Sequence, residues 1–138
     1  MITTDDALAS CVKPSVLPAI RLDTEFVRTR TYYPQLGLIQ LFDGEHLALI
    51  DPLGITDWSP LKAILRDPSI TKFLHAGSED LEVFLNVFGE LPQPLIDTQI
   101  LAAFCGRRCH GGSLPWWKSI PALRWTRVNR APTGWPDR

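Results

Sequence analysis

A regular succession of short apolar segments constrains the fold of this chain more than any other feature. Five segments have the length and the β-branched or apolar content of strands, and they cover residues 18–25, 36–43, 46–51, 70–76 and 93–98. Helical patterns cover residues 3–10, 57–67, 78–90 and 97–105. After the first helix, the order is β-β-β-α-β-α-β-α, in which a hairpin meander is followed by helical crossovers. We therefore expect an α/β fold with a mixed five-stranded sheet and flanking helices.

Turn and cap residues set the predicted limits of these elements. Asp43-Gly44 is a strong hairpin signal, so the second and third strands should be antiparallel. Ser59 and Ser78 are the predicted N-caps of two helices, and Thr3 or Thr4 should cap the first helix. Gly89 is the predicted C-cap of the helix that begins near Ser78. The helical spacing predicts that two sets of apolar side chains face the core, namely Leu61, Ile64 and Leu65, and Leu81, Phe84, Leu85 and Phe88.

The charge of the chain changes abruptly near residue 107. Residues 1–107 contain 8 Lys and Arg against 14 Asp and Glu, whereas residues 108–138 contain 6 against 1 and hold four of the five tryptophans. Prolines recur through the second stretch and exclude a long helix there. We expect a disordered or non-native tail. The alternative is a segment whose Arg and Trp side chains stack on single-stranded nucleic acid. The predicted boundaries are therefore residues 1–107 and residues 108–138.

Several classes of protein are disfavoured by composition. No apolar run approaches the roughly 20 residues that cross a bilayer, and the first residues lack the pattern of a signal peptide. Three cysteines without framework spacing fit a reducing, cytoplasmic setting. Cys105, Cys109 and His110 lie within six residues, but a zinc site needs a fourth ligand. We therefore expect free thiols, no membrane partner and a cytoplasmic location.

Two carboxylates follow the first apolar segment, at Asp23 and Glu25. Because they are two residues apart on a strand, their side chains share a face. At about 5 Å and an effective dielectric near 20, they would repel each other by roughly 3 kcal/mol. A divalent cation would turn this repulsion into attraction, and carboxylate oxygens suit Mg²⁺ or Mn²⁺. The alternative is a solvated strand end with ordinary surface acids.

Asp80 is a third candidate because it lies in the first turn of a helix that follows a strand. In βαβ units this turn lies near the carboxyl end of the sheet, where ligands bind. If its strand runs parallel to the first strand, Asp80 should face Asp23. The other role open to Asp80 is stabilisation of the helix dipole. Asp97 is expected to be the N-cap of the last helix rather than a group that supports a metal ligand.

Three segments carry a resemblance to a known family: residues 22–41 (LDTEFVRTRTYYPQLGLIQL), 72–84 (KFLHAGSEDLEVF) and 95–106 (LIDTQILAAFCG). They resemble the first two exonuclease motifs, and the segment after them, of bacterial ribonuclease D, a family of DEDD-class 3′→5′ exonucleases. The resemblance runs over about residues 1–107, apart from the stretch near CVKPSV. It implies a ribonuclease H-like fold, hydrolysis at RNA 3′ ends such as those of tRNA precursors, and two divalent metal ions, Mg²⁺ or Mn²⁺.

Residue roles follow from the same resemblance. Asp23, Glu25 and Asp80 match three metal-binding and catalytic acids, and His75 matches a small pocket motif that precedes Asp80. Arg28 and Arg30 could contact the RNA backbone or serve only solubility. Phe26 could stack on terminal bases or pack in the core, and Tyr32 and Tyr33 could also stack. The predicted substrate-binding residues are therefore Phe26, Arg28, Arg30 and His75. A monomer is expected.

The family's third motif, a Tyr followed four residues later by an Asp, has no match in this sequence, whose only tyrosines are Tyr32 and Tyr33. The resemblance therefore implies that one metal-binding acid, the water-orienting Tyr and the helical RNA-binding domains are missing. The break at Arg107–Arg108 resembles an out-of-frame or truncated gene product. We expect a truncated fold and at most weak nuclease activity. The alternatives are a non-catalytic nucleic-acid-binding fragment and a non-functional truncated product.

Overall fold

The computed structural model of the protein describes residues 1–12, 19–27 and 33–106. The chain divides into two units, Met1–Arg108 and Cys109–Arg138, and every described residue belongs to the first. Several sequence predictions therefore concern residues outside the described part and stay predictions. They concern Arg28, Arg30, Tyr32, Cys109, His110 and the stretch 108–138.

Four helices and five strands form the described part of the chain. The helices are α1 (Asp5–Cys11), α2 (Ser59–Arg66), α3 (Ser78–Phe88) and α4 (Thr98–Phe104). The strands are β1 (Ala19–Val27), β2 (Gln35–Phe42), β3 (Leu47–Ile50), β4 (Thr71–Leu74) and β5 (Leu95–Asp97). This order of elements is the predicted one. None of the described helices combines the length and apolar character that crossing a bilayer requires.

The strands form one mixed sheet in the order β3-β2-β1-β4-β5. β2 is antiparallel to both β1 and β3, whereas β4 is parallel to both β1 and β5. The predicted hairpin turn follows β2, where the amides of Glu45 and His46 donate to the carboxylate of Asp43 at 2.9 and 2.7 Å. The predicted α/β fold with a mixed five-stranded sheet is confirmed.

β1 extends past the acids, because it continues to Val27 rather than ending at Glu25. It pairs with β2 from Arg21 to Val27, but with β4 only from Ala19 to Arg21. The part of β1 that carries the acids therefore lies beyond the end of its parallel partner. The connection from β4 to α3 begins beside that part of the strand.

The predicted buried face of α2 is confirmed, since Leu61, Ile64 and Leu65 belong to the hydrophobic core. The prediction for α3 was wrong at Leu85, whose side chain is 52% exposed. Phe84 and Phe88 are buried as predicted, and Val83, which was not predicted to face the core, is fully buried. The buried face of α3 also includes Asp80. Leu85 lies five positions after Asp80, so it points about 140° away from Asp80 around the helix axis.

Two predicted N-caps were also wrong. Ser59 and Ser78 are the first residues of their helices, and the cap positions belong to Trp58 and Gly77, neither of which makes a side-chain cap hydrogen bond. Before α2, the carboxylate of Asp57 accepts from the Ser59 amide at 3.0 Å, so Ser59 is not needed as the acceptor.

Two other cap predictions are confirmed here. The hydroxyl of Thr4 caps α1 by accepting from the amide of Ala7 at 3.3 Å. Gly89 ends α3 in the left-handed conformation with φ of 73°, which glycine adopts without the steric cost of a Cβ atom.

Candidate acidic site at the carboxyl end of the parallel strands

Asp80 contacts β1 at the peptide that follows Asp23. Its Oδ1 accepts from the amide nitrogen of Thr24 at 2.9 Å and from the Thr24 hydroxyl at 2.5 Å. Both side chains are buried. Because β4 stops pairing with β1 at Arg21, the Asp80 carboxylate provides an acceptor where the neighbouring strand no longer does. α3 is thereby attached to β1 between Asp23 and Glu25.

The electrostatic environment of Asp80 disfavours its charge. Burial raises the pKa of Asp80, the hydrogen bonds from Thr24 oppose this rise, and the nearby charge of Glu79 adds to it. A cation that approaches a buried carboxylate of this kind stabilises its charged form. The prediction that Asp80 faces Asp23 stays a prediction, because the contacts that hold Asp80 are made to Thr24.

Asp23 and Glu25 lie on the opposite face of β1 from Thr24, because side chains alternate along a strand. Asp23 is half-buried and Glu25 is exposed. Arg21 precedes them on the same face, where burial lowers its pKa and the charge of Asp23 raises it. The Arg21 guanidinium therefore interacts with the Asp23 carboxylate. The sequence interpretation considered only a metal ion as the positive partner of Asp23 and did not include Arg21.

A bulge in the β1–β2 pairing follows Glu25 directly. Glu25 pairs with Leu38 and Phe26 pairs with Leu36, so Gly37 is the extra residue. A Cβ atom on Gly37 would lie 3.3 Å from the Glu25 carbonyl oxygen, which is a tight contact. Bulges beside functional sites change the direction of the neighbouring side chains. Phe26 is half-buried after this bulge, and its role in substrate binding stays a prediction.

The turn from β4 to α3 is held by Asp97. The carboxylate of Asp97 accepts from the amides of Ala76 at 3.1 Å and Gly77 at 2.9 Å, and it caps α4 through the amide of Gln99 at 2.8 Å. Ala76 has a φ of 56°, an uncommon conformation for a residue with a Cβ atom. The cap prediction for Asp97 is confirmed, and the same carboxylate also stabilises the strained turn that leads to Asp80.

His75 belongs to a hydrogen-bond chain beside this turn. The hydroxyl of Thr98 donates to the Leu74 carbonyl at 3.0 Å. Its single proton is thereby used, so it accepts from Nδ1 of His75 at 2.9 Å. This network assigns a proton to Nδ1 of His75. Substrate binding by His75 stays a prediction.

Replacing Asp97 with alanine is expected to lower the free energy of unfolding by about 2 kcal/mol, because three amides lose their acceptor. Burial raises the pKa of Asp97, but the hydrogen bonds from Gly77, Gln99 and Ala76 outweigh it and the net pKa is lowered. The contribution is therefore present above the unfolded pKa and is lost as the pH falls through the lower, folded pKa. Urea unfolding at several pH values measures it.

Asp51 provides the matched control for that experiment. Its carboxylate accepts from one amide, that of Leu53 at 2.9 Å, so the change Asp51→Ala should cost about 1 kcal/mol or less. Equal losses for the two variants would contradict a special role of Asp97 in the turn.

The structure places Asp80 against the β1 backbone between Asp23 and Glu25, although the Thr24 side chain that it binds faces away from both acids. Within residues 1–12, 19–27 and 33–106, no three or more His, Cys, Asp or Glu side chains are gathered closely enough to hold a metal ion. The donor set itself fits a hard divalent cation, because Asp23, Glu25 and Asp80 offer only carboxylate oxygens. Metal binding by these acids therefore stays a prediction that their chemistry supports.

Three residues of this region were missed by the sequence interpretation: Thr24, Thr98 and Gln40. Thr24 and Thr98 are buried and hold Asp80 and His75 in place. Gln40 is the cross-strand partner of Asp23. The signal available in the sequence was the presence of polar residues inside otherwise apolar strand segments, as in LDTE and LIQL.

Comparison with known proteins identifies the family. The sequence profile described as 3′-5′ exonuclease matches residues 1–114. The chain belongs to the 3′-5′ exonuclease family. Ribonuclease D of Escherichia coli (strain K12) is 93% identical to it over 108 residues, which are 78% of this chain and 29% of that protein. The chain thus spans less than a third of the length of this relative.

Solved structures give the same result. The chain matches the crystal structure of Escherichia coli RNase D, described as an exoribonuclease involved in structured RNA processing, with a TM-score of 0.79 and 83% identity over 86% of this chain and 32% of that one. It also matches Brucella melitensis NrnC with bound Mg²⁺, with a TM-score of 0.57 and 31% identity over 64% of this chain and 45% of that one. The predicted resemblance to ribonuclease D is confirmed.

Proposed function

We propose that this chain carries part of the active site of a 3′→5′ exoribonuclease of the ribonuclease D type, which hydrolyses phosphodiester bonds at RNA 3′ ends, those of tRNA precursors among them. The observation that carries the proposal is the hydrogen bonding of Asp80 to Thr24, between Asp23 and Glu25. It places the acid of the second motif against the backbone of the strand that carries the two acids of the first. The similarity to an exoribonuclease involved in structured RNA processing supports RNA as the substrate.

In this proposal the three acids hold divalent metal ions, Mg²⁺ or Mn²⁺, and the Mg²⁺ bound by the related NrnC supports this choice. Such ions would polarise water and neutralise charge on the scissile phosphate. Asp23 and Glu25 bind from β1, and Asp80 binds from α3 through the carboxylate that Thr24 orients. Thr24 thereby fixes the direction of a ligand that would otherwise rotate.

The remaining predicted residues would bind the RNA. Arg28 and Arg30 would contact phosphates, Phe26 would stack on a terminal base, and His75 would form part of the substrate pocket. The β4–α3 turn, held by Asp97, would fix the position of His75 relative to Asp80. We further propose a monomer that acts in the cytoplasm.

The test uses the 138-residue chain in excess over a single-stranded RNA labelled at its 5′ end, in the presence of Mn²⁺. A ladder of products shortened from the 3′ end is expected, slowly formed because the third motif is lacking, and a circular RNA should resist cleavage. Asp23→Asn should abolish the ladder. Asp51→Asn is the control and should leave the ladder unchanged, because Asp51 lies after β3 and its carboxylate binds the Leu53 amide.

The outcomes separate the candidate functions. RNA binding that weakens with salt, without any cleavage, would replace the proposal with a non-catalytic nucleic-acid-binding role. Neither binding nor cleavage would mean that the chain has no function of this type. Cleavage that survives Asp23→Asn would assign the activity to other residues or to a contaminant.

A further inference from the structure

Gln40 has a buried polar atom without a partner. The side chain is 7% exposed, and its amide oxygen, Oε1, is buried and accepts no hydrogen bond. Among the residues that the structure describes, only Glu90 Oε1 shares this state, and the other oxygen of Glu90 binds Arg66 at 2.6 Å. Buried carbonyl oxygens are nearly always paired, so the Gln40 oxygen requires an explanation.

The sheet register places Gln40 beside the first acid. Gln40 pairs with Asp23 across the β1–β2 ladder. Directly opposed residues of an antiparallel pair point to the same face, with their Cβ atoms about 5 Å apart. On its other side Gln40 pairs with Leu49, which has no polar side-chain atom. The Gln40 side chain therefore lies on the face of the sheet that carries Asp23.

The two neighbouring groups, an amide oxygen and a carboxylate, are both acceptors. Two acceptors side by side suit a small group that carries positive charge or several donors. Mg²⁺ keeps most of its hydration waters when a protein carboxylate binds it, and each of these waters can donate a hydrogen bond. The Gln40 oxygen is itself buried, so a group as small as a water molecule fits beside it more readily than a nucleotide does.

We propose that Gln40 is a positioning residue of the acidic site, and that its amide oxygen accepts a hydrogen bond from a hydration water of the divalent cation held by Asp23. The inference rests on the proposed function, because it assumes cation binding at Asp23. Groups that orient bound water or ligands around a metal ion tune its affinity without touching it. Gln40 would therefore act on the cation through its hydration shell.

The experiment measures Mn²⁺ binding to the 138-residue chain by isothermal titration calorimetry. Gln40→Leu should weaken Mn²⁺ binding about tenfold. Gln40→Glu keeps an acceptor oxygen at the same reach and should bind Mn²⁺ at least as tightly as the parent. Gln35→Leu is the matched control, because Gln35 is exposed on the same strand and pairs with Val27 rather than with an acid. Its Mn²⁺ affinity should not change.

Thermal unfolding in EDTA separates positioning from a structural role. Gln40→Leu removes an unpaired acceptor, so its midpoint without metal should equal or exceed that of the parent. A lower midpoint together with unchanged Mn²⁺ affinity would overturn the proposal. Equal weakening by Gln40→Leu and Gln40→Glu would overturn it too.

The Asp23→Asn variant distinguishes failure of this inference from failure of the proposed function. If Asp23→Asn weakens Mn²⁺ binding and Gln40→Leu does not, the metal site stands and the role of Gln40 is refuted. If the parent chain binds no Mn²⁺, or if Asp23→Asn leaves binding unchanged, the proposed metal site fails and the inference fails with it.

Discussion

Replacing Lys72 with alanine is expected to lower the free energy of unfolding by about 3–5 kcal/mol. The Lys72 side chain is 0% exposed within β4. Its Nζ donates to the backbone carbonyls of Asp67 at 2.6 Å and Gln93 at 2.7 Å. The substitution would remove the ammonium donor from both carbonyls, leaving Asp67 O with the Ile70 amide at 3.2 Å alone, and would open a cavity where the aliphatic stem lies. Guanidinium or urea unfolding, with the midpoint and slope both fitted, measures the loss.

Two further variants divide this effect into its parts. Lys72→Met keeps the apolar stem but removes both hydrogen bonds, so its loss should be smaller than that of Lys72→Ala. Lys62→Ala is the control, because Lys62 lies on α2 and is only half-buried. It should cost less than about 1 kcal/mol. A loss of that size for Lys72→Ala as well would contradict a structural role of the ammonium group.

The position of Lys72 connects this stability to the acidic site. Asp67 precedes β4 and Gln93 precedes β5, so Lys72 joins the two connections that enter these parallel strands. The register of β4 and β5 places the turn at Ala76 against Asp97 at the other end of the strands. Partial destabilisation at Lys72 should therefore also loosen the turn that leads to Asp80.

Replacing Asp80 with asparagine is expected to preserve or increase stability in the absence of metal, while lowering RNA cleavage at least about a hundredfold, equivalent to about 2.7 kcal/mol of barrier. Asparagine keeps an oxygen that can accept from both Thr24 donors. It also removes a charge whose burial is unfavourable. Cleavage should nevertheless fall, because a neutral amide is a weaker ligand for a divalent cation. Urea unfolding in EDTA and the single-turnover RNA assay measure the two quantities.

The pH dependence of the Asp80 effect has a definite sign. Burial raises the pKa of Asp80 above its unfolded value of about 3.8, so the folded state prefers the protonated form. The parent should therefore lose stability relative to Asp80→Asn as the pH rises from the unfolded pKa through the folded one. Above the folded pKa the difference should be constant.

Alanine at the same position supplies the control. Asp80→Ala leaves the buried amide of Thr24 without an acceptor, so it should be less stable than Asp80→Asn by about 1–3 kcal/mol. Equal stability of the alanine and asparagine variants would mean that the contact with Thr24 contributes nothing. Normal cleavage by Asp80→Asn would exclude Asp80 as a ligand that the reaction needs.

The sequence by itself determined the elements and the class of the fold, because these depend on neighbouring residues. The Asp43-Gly44 turn and the apolar runs on either side of it were sufficient to predict the antiparallel hairpin of β2 and β3. The cap at Thr4 and the left-handed glycine at Gly89 followed from the same local chemistry. The three acids were predicted to be metal ligands from a short motif on one strand and from a resemblance that covers about residues 1–107.

Only the tertiary structure decided which side chain each polar group contacts. No local pattern shows that Asp80 binds Thr24, that Lys72 is fully buried, or that Gln40 lies opposite Asp23, because these depend on the register between segments distant in the chain. The same reason explains the error at Leu85. Helical spacing gives the width of an apolar face, but the contact of Asp80 with β1 sets the rotation of α3 about its axis and turns Leu85 toward solvent.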